Sequence, residues 1–262
     1  MNGIDMDELS VEVYRRTGVA VLRHALPQSL VAQWMDAWLR FYNSDVGVAR
    51  SVDPFNPVLL REPVSAELAT MHRHPLLLDV MERIYPDLGL FIQRFLLKDV
   101  QSRAPVFVHQ DFGYDIGWPE KTSMFVPLSP MTPENGGMLF YPGTHRLGYL
   151  GDVGEIDVAA VAPDWPVVCP ALAPGDLVLM HECTWHGSGP HVGGPDRVLA
   201  QIQYQPASDP SCIAVLRGRS DTAVRVDDDV RGALFKRSRS SRVRELQEEL
   251  SRLKDASSLP GT

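Results

Sequence analysis

The chain has 262 residues, 44% hydrophobic and 22% charged, the balance of a globular protein able to bury one sizeable core. Its formal net charge of −8 argues against a nucleic-acid partner, and no apolar run is long enough to span a bilayer. Met1–Asp5 lacks the basic and apolar regions of a secretory leader, and Cys169, Cys183 and Cys212 have no CxxC spacing, so a cytoplasmic protein with neither disulfide framework nor structural zinc is expected.

Val19-Ala20-Val21-Leu22, after Gly18, reads as a short strand. Leu30, Trp34, Ala37, Trp38 and Phe41 then recur at helical spacing, with Ser29 placed as an N-cap and the tryptophans turned to the core. Residues 43–63 carry Pro54, Pro57, Pro63 and Gly47 with little periodicity and read as a long loop, of the kind that is often functional or mobile. Arg61 within it reads more readily as a solvated side chain than as an anion contact. A second helix is expected from about Pro75 to Ile84, with Leu77, Val80, Met81 and Ile84 on one face.

The next strand, Leu90 to Leu97, is interrupted by Gln93 and Arg94, a polar pair that marks either a sheet edge or the wall of a polar cavity. Alternation lets only one of the two face inward. Further strands are expected at Thr122–Ser129, Met138–Tyr141, Leu177–His181 and Arg197–Tyr204, separated by the turn-rich segments 130–137 and 174–176. Many short strands behind a helical N-terminal third predict a mainly β fold with flanking helices, a jelly-roll sandwich or barrel.

A single domain is expected over residues 1–235, and residues 236–262 differ in character. There a basic, serine-rich run, Lys236 to Arg242, leads into Val243, Leu246, Leu250 and Leu253, a heptad seam too short for an independent coiled coil. A terminal helix docked on its own barrel is expected, giving a monomer or a weak homodimer.

The stretch with chemical content is Val106-Phe107-Val108-His109-Gln110-Asp111. On a strand, His109 and Asp111 point to the same side, which suits either a solvated edge pair or two metal ligands. A third ligand has several candidates in His24, His72, His74, His145, His181, His186 and His191, of which His186 is the best placed. Two histidines and one carboxylate leave open coordination positions, an arrangement suited to non-haem Fe(II) that binds both an organic co-substrate and O2. Zinc more often takes histidine and cysteine in a tetrahedron.

His109-Gln110-Asp111, the run Asn135-Gly136-Gly137-Met138-Leu139-Phe140-Tyr141-Pro142-Gly143-Thr144-His145-Arg146, then Pro174-Gly175-Asp176, His186-Gly187-Ser188-Gly189 and Arg197 occur in that order. Together they resemble the phytanoyl-CoA dioxygenase family of Fe(II)/2-oxoglutarate oxygenases, from about Val11 to Gln205. The resemblance implies a double-stranded β-helix core of jelly-roll, cupin-like form, with iron held by His109, Asp111 and His186. It also implies that Arg197 pairs with the distal carboxylate of 2-oxoglutarate and that Ser188 hydrogen-bonds to it. The rigid guanidinium fork suits that partner.

If Arg197 faces inward, alternation brings Leu199, Gln201 and Gln203 inward with it. Gln93 stands where several family members place a residue that touches the co-substrate, so Gln93 rather than Arg94 is expected to face the cavity. Phe112, Tyr114 and Trp118, just beyond the iron strand, join Gln201 and Gln203 as candidates for the substrate pocket. The resemblance further implies oxidative decarboxylation of 2-oxoglutarate to succinate, coupled to oxidation of an unactivated C–H bond of a small metabolite by hydroxylation, desaturation, cyclisation or epimerisation. Asp111 disfavours the halogenating variant of the family, which lacks the carboxylate. No phosphate-cradling motif supports an acyl-CoA substrate. Two other classes are a catalytically lapsed jelly-roll binding protein and a metal-dependent hydrolase or isomerase on a cupin-like barrel, active with zinc and without oxygen.

Overall fold

In the computed structural model, residues 8–43, 65–100, 103–150 and 155–220 are described, together with residues 248 and 252. The proline-rich loop with Arg61 and nearly all of the heptad segment lie outside these residues. The chain forms two compact units, Met1–Arg225 and Val226–Thr262, and both β-sheets lie in the first.

A helix that periodicity did not announce, α1 (Glu8–Thr17), buries Val11 and Tyr14 and ends where Gly18 takes a φ of 74°. Its polar faces and β-branched valines leave only a narrow apolar stripe, which is why it reads weakly in sequence. After β1 (Val19–Leu22) comes α2 (Gln28–Tyr42), burying Val31, Trp34, Ala37, Trp38 and Phe41. Ser29 is not its cap: the N-cap is Pro27, and no side chain caps the helix. Proline's fixed φ sets the entry instead. A short α3 (Ala66–Ala69) leads to α4 (Pro75–Glu82), which starts with proline at its first turn and buries Leu77, Leu78, Val80 and Met81.

The remaining strands are β2 (Leu88–Lys98), β3 (Val106–His109), β4 (Thr122–Pro127), β5 (Met138–Phe140), β6 (Leu177–His181), β7 (His186–Ser188), β8 (Arg197–Pro206) and β9 (Ala214–Val215). They make a six-stranded sheet in the order β1-β6-β4-β8-β2-β9 and a three-stranded sheet in the order β3-β7-β5, with antiparallel pairing between named strands. This is a jelly roll with helices against its larger sheet.

Alternation along the strands divides the apolar side chains into two cores. Phe95, Leu97, Met124, Val126, Leu177, Leu179, Val198, Ala200 and Ile202 pack with the helical residues Trp34, Trp38, Leu77 and Met81. Phe125, Val178, Met180 and Leu199 point the other way and meet Met138 and Phe140 of the small sheet. Each fully buried side chain of this kind contributes roughly 1.5–3 kcal/mol, which fixes strand register, since a slip of one residue would exchange the faces. The inner face of β8 therefore carries Arg197, Leu199, Gln201 and Gln203. Register places Lys98 opposite Arg197, Leu96 opposite Leu199 and Arg94 opposite Gln201 on β2. No helix among the described residues is long and apolar enough to cross a membrane.

Candidate metal centre

His109 closes β3, and Gln110 keeps an extended backbone (φ −110°, ψ 132°) before Asp111 opens a short 3₁₀ turn. One extended residue beyond the strand is enough to bring Asp111 to the side His109 faces. His186 opens β7 directly opposite His109. The glycine after it has a steric reason: a Cβ at Gly187 would lie 2.7 Å from Val106 O, so only glycine lets the two ligand-bearing strands approach.

His109, Asp111 and His186 are all buried, and one ligand atom from each lies within 4.8 Å of the others. Asp111 Oδ1 stands 3.4 Å from Nε2 of both histidines. The opposite ring nitrogens are engaged, His109 Nδ1 with Phe107 O at 2.8 Å and His186 Nδ1 with Thr184 O at 3.1 Å. A carbonyl only accepts, so the proton sits on Nδ1 and both Nε2 lone pairs turn to the shared centre. Burial, reinforced by the neighbouring His186 ring, lowers the pKa of His109. Burial pushes Asp111 up, but His186 and His109 beside it hold its carboxyl well below the usual range. A deprotonated ring nitrogen on His109 and an ionised Asp111 are the forms that bind a cation. The N2O donor set with one side left open fits Fe(II).

Beside the triad, two buried cations stand opposite each other on β2 and β8. Arg197 is 5% exposed, its Nη1 donates to Gly136 O, and its Nε has no hydrogen-bond partner. Lys98, opposite it, donates to Ser188 Oγ at 2.8 Å and to Gly189 O at 2.5 Å. Gly136 has a φ of 85°, and a Cβ there would run into the Lys98 side chain. The Asn135-Gly136-Gly137 turn thus makes room for the lysine and aims a carbonyl at the arginine. Burial, and then the Arg197 charge, lower the Lys98 pKa to about 7, and burial lowers that of Arg197 to about 10. Among the described residues neither cation has a carboxylate within ion-pair distance. Buried cations without a counter-ion are costly, and an anionic ligand removes the cost.

The phytanoyl-CoA dioxygenase family model (PhyH) matches residues 14–198. The chain belongs to this family. No curated protein matches it in sequence. Among solved structures, the epimerase SnoN from nogalamycin biosynthesis, in complex with Fe3+, alpha ketoglutarate and nogalamycin RO, is 21% identical over 85% of this chain and 96% of its own, with a TM-score of 0.69. EctD from S. alaskensis with 2-oxoglutarate and 5-hydroxyectoine is 21% identical over 83% of this chain and 82% of its own, with a TM-score of 0.68. The carbocyclase SnoK from nogalamycin biosynthesis is 21% identical over 79% and 86% of the two chains, with a TM-score of 0.66. At this identity the likeness establishes a shared fold.

Within this family member, Gln93 does not face the cavity. Its Nε2 donates to Leu68 O at 2.5 Å and its Oε1 accepts from His72 N at 3.0 Å, so it ties β2 to the helical layer. Alternation then turns Arg94 inward, where its Nε donates to Gln201 Oε1 at 2.6 Å. Gln201 is itself committed to the metal centre, its Nε2 donating to Asp111 Oδ2 at 3.0 Å and to Ser123 Oγ at 2.9 Å. Gln203 Nε2 reaches both Glu182 oxygens at 3.1 Å and Asp115 Oδ2 at 3.2 Å. Gln201 and Gln203 therefore hold carboxyl groups in place instead of offering free amides to a substrate.

Ser123 has one hydroxyl proton and lies between two carboxyls, 3.2 Å from Asp111 Oδ2 and 2.8 Å from Glu182 Oε1. Glu182 is fully buried, and burial with the charges of Asp115 and Asp111 pushes its pKa well above the carboxylate range. It is the carboxyl of this network that burial most favours in its protonated form. Burial raises Asp115 to about 6, against the opposing pull of Arg94 and Lys121. Phe112 is half-buried and meets Tyr149 edge-on at 5.2 Å, while Trp118 is 43% exposed. The Tyr114 side chain lies outside the described residues.

Lys98, Arg94, Ser123, Asp115 and Glu182 stand outside the sequence motifs. Alternation signals two of them, since Arg94 and Lys98 lie four residues apart and share one face of β2. Ser123 on β4 and Glu182 just after β6 carry no such signal, because only the pairing of β4 with β6 brings them together.

Proposed function

We propose that the chain is a non-haem Fe(II)- and 2-oxoglutarate-dependent dioxygenase that hydroxylates an unactivated C–H bond of a small metabolite. The observation that carries this reading is the buried pair Arg197 and Lys98 beside the triad, which among the described residues has no carboxylate within ion-pair distance. Ser188, which accepts from Lys98, lies two residues from His186 on the same face of β7. A metal-dependent hydrolase has no use for a buried dicationic pocket at that place, whereas a dicarboxylate co-substrate does.

His109, Asp111 and His186 would hold Fe(II), which with 2-oxoglutarate and O2 would supply the oxidising power for C–H cleavage as 2-oxoglutarate is converted to succinate and carbon dioxide. The residues do the positioning. Arg197 and Lys98 fix the distal carboxylate by charge-assisted hydrogen bonds, strongest in a dry pocket. Phe107 O and Thr184 O hold the imidazoles by their Nδ1 protons. Gln201 and Ser123 hold Asp111 Oδ2, leaving Oδ1 for the metal.

Desaturation, cyclisation or epimerisation is the second reading, favoured by the epimerase and carbocyclase among the structural neighbours. The intact triad and Arg197 speak against a lapsed binding protein. Three free cysteines accord with a cytoplasmic enzyme. The test is incubation with Fe(II), 2-oxoglutarate and a metabolite pool, followed by mass spectrometry. A product gaining one oxygen supports hydroxylation, and a loss of two hydrogens or an isobaric product supports the second reading. Turnover supported by zinc without oxygen contradicts both.

A further inference from the structure

Arg94 is half-buried and points into the sandwich from the middle of β2. Its Nε is taken by Gln201, and among the described residues neither terminal guanidinium nitrogen has a hydrogen-bond or ion-pair partner. The guanidinium is not loose, because Gln201 is anchored at its other end on Asp111 and Ser123. An arginine whose Nε is held in this way presents its outer edge, the two-pronged side that matches a carboxylate.

Asp115 is the nearby opposite charge, close enough for Arg94 to pull its pKa down against burial. The two do not form an ion pair: no nitrogen and oxygen of theirs come within 4.0 Å. Asp115 turns instead to Gln203 and Glu182. Because Arg94 and Asp115 do not close on each other, the outer edge of the half-buried guanidinium is left for an acceptor from outside the chain. Arg94 is also a different station from the pocket of Lys98, four residues or about 13 Å away along the strand.

We propose that Arg94 anchors a carboxylate of the organic substrate beside the metal centre, so that the substrate class is a small organic acid. This rests on the oxygenase reading above. A carboxylate at this place has a second possible source, the 1-carboxylate of 2-oxoglutarate, and the experiment separates the two.

The protein is loaded with Ni(II) in place of Fe(II) and with saturating 2-oxoglutarate, and benzoate or benzamide is added as the probe. Paramagnetic broadening of the probe's proton signals reports its approach to the metal. Benzoate is expected to broaden saturably and benzamide far less, and Arg94→Gln is expected to weaken benzoate binding at least tenfold. Arg94→Lys, which keeps the charge without the fork, is expected to recover part of it. The dissociation constant of 2-oxoglutarate, measured by calorimetry, should change less than twofold in Arg94→Gln, with the melting temperature as a check on folding. No saturable benzoate binding, equal behaviour of benzoate and benzamide, or undiminished binding in Arg94→Gln overturns the proposal. A tenfold loss of 2-oxoglutarate affinity in Arg94→Gln assigns the residue to the co-substrate and also overturns it. Failure of the underlying oxygenase reading looks different: wild-type protein would then not bind 2-oxoglutarate at all.

Discussion

Lys98 and Arg197 are cross-strand partners on β2 and β8, two cations side by side on the inner face of the sandwich. Burial and the neighbouring guanidinium bring the Lys98 pKa down to about 7. A dicarboxylate bound there reverses the sign of the local field and favours the ammonium form. If 2-oxoglutarate binds there as proposed, its binding should be strongest below pH 7 and weaken as pH rises through 7, by at most about tenfold per pH unit. Lys98→Met should weaken binding at pH 6.5 and flatten the profile, which calorimetry across about pH 6–9 checks. A wild-type profile equally flat over that range would show that Lys98 does not sense the ligand.

Gln201 joins Arg94 to Asp111, so its loss should register at the metal more than in the fold. Gln201→Leu leaves Asp111 Oδ2 with Ser123 as its remaining partner among the described residues. The carboxylate gains rotational freedom, and Fe(II) affinity is expected to fall about 10–100-fold. Competition against a chelator under anaerobic conditions measures this, with circular dichroism unchanged.

Lys121 and Asp209 form an ion pair at 2.9 Å with both side chains fully buried. Lys121 Nζ also donates to Trp118 O at 2.8 Å and sits 5.0 Å from the centre of the Phe91 ring. The pair ties the loop after Asp111 to the segment after β8. Lys121→Met removes the counter-charge of a buried carboxylate that keeps hydrogen bonds from Trp118 N and Ser211, and should cost about 3–5 kcal/mol, the range for breaking a buried pair by removing one partner. Chemical denaturation reads it. A loss below about 1 kcal/mol would mean that water reaches Asp209.

Gln110, the middle residue of the motif, has a role that the motif does not disclose. Its Nε2 donates to Gly148 O and Cys183 O, both at 2.8 Å, and its Oε1 accepts from Leu150 N at 3.0 Å. It clamps a segment whose Tyr149 meets Phe112. Gln110→Ala unpairs three backbone groups and should destabilise the protein by about 1–3 kcal/mol. Faster proteolytic cleavage near residue 150 than in wild type would locate the effect at the clamp.

Periodicity and motif order made part of the fold and site legible in the sequence. Trp34 and Trp38 repeat at helical spacing and are buried in α2, and the alternation of Arg197, Leu199, Gln201 and Gln203 marks the inner face of β8. The choice between Gln93 and Arg94 was not legible, because alternation separates the two without saying which face is the inside. That depends on the register with β8, which pairs residues about a hundred positions apart. Alternation puts Lys98 on the same face of β2 as Arg94, and the same ambiguity hides that this face is the inner one. The network of Ser123 and Glu182 behind Asp111 arises from the sheet order, and no local pattern announces it.

The most direct test of the central claim is succinate formation from 2-oxoglutarate by the purified protein with Fe(II) in air, comparing wild type with His109→Ala, Asp111→Ala, His186→Ala and Arg197→Met. Wild type should form succinate in an iron- and oxygen-dependent way, each triad variant should fall at least about 100-fold, and Arg197→Met should show a raised half-saturation for 2-oxoglutarate. Wild-type protein that binds iron but consumes no 2-oxoglutarate, or variants as active as wild type, would contradict it.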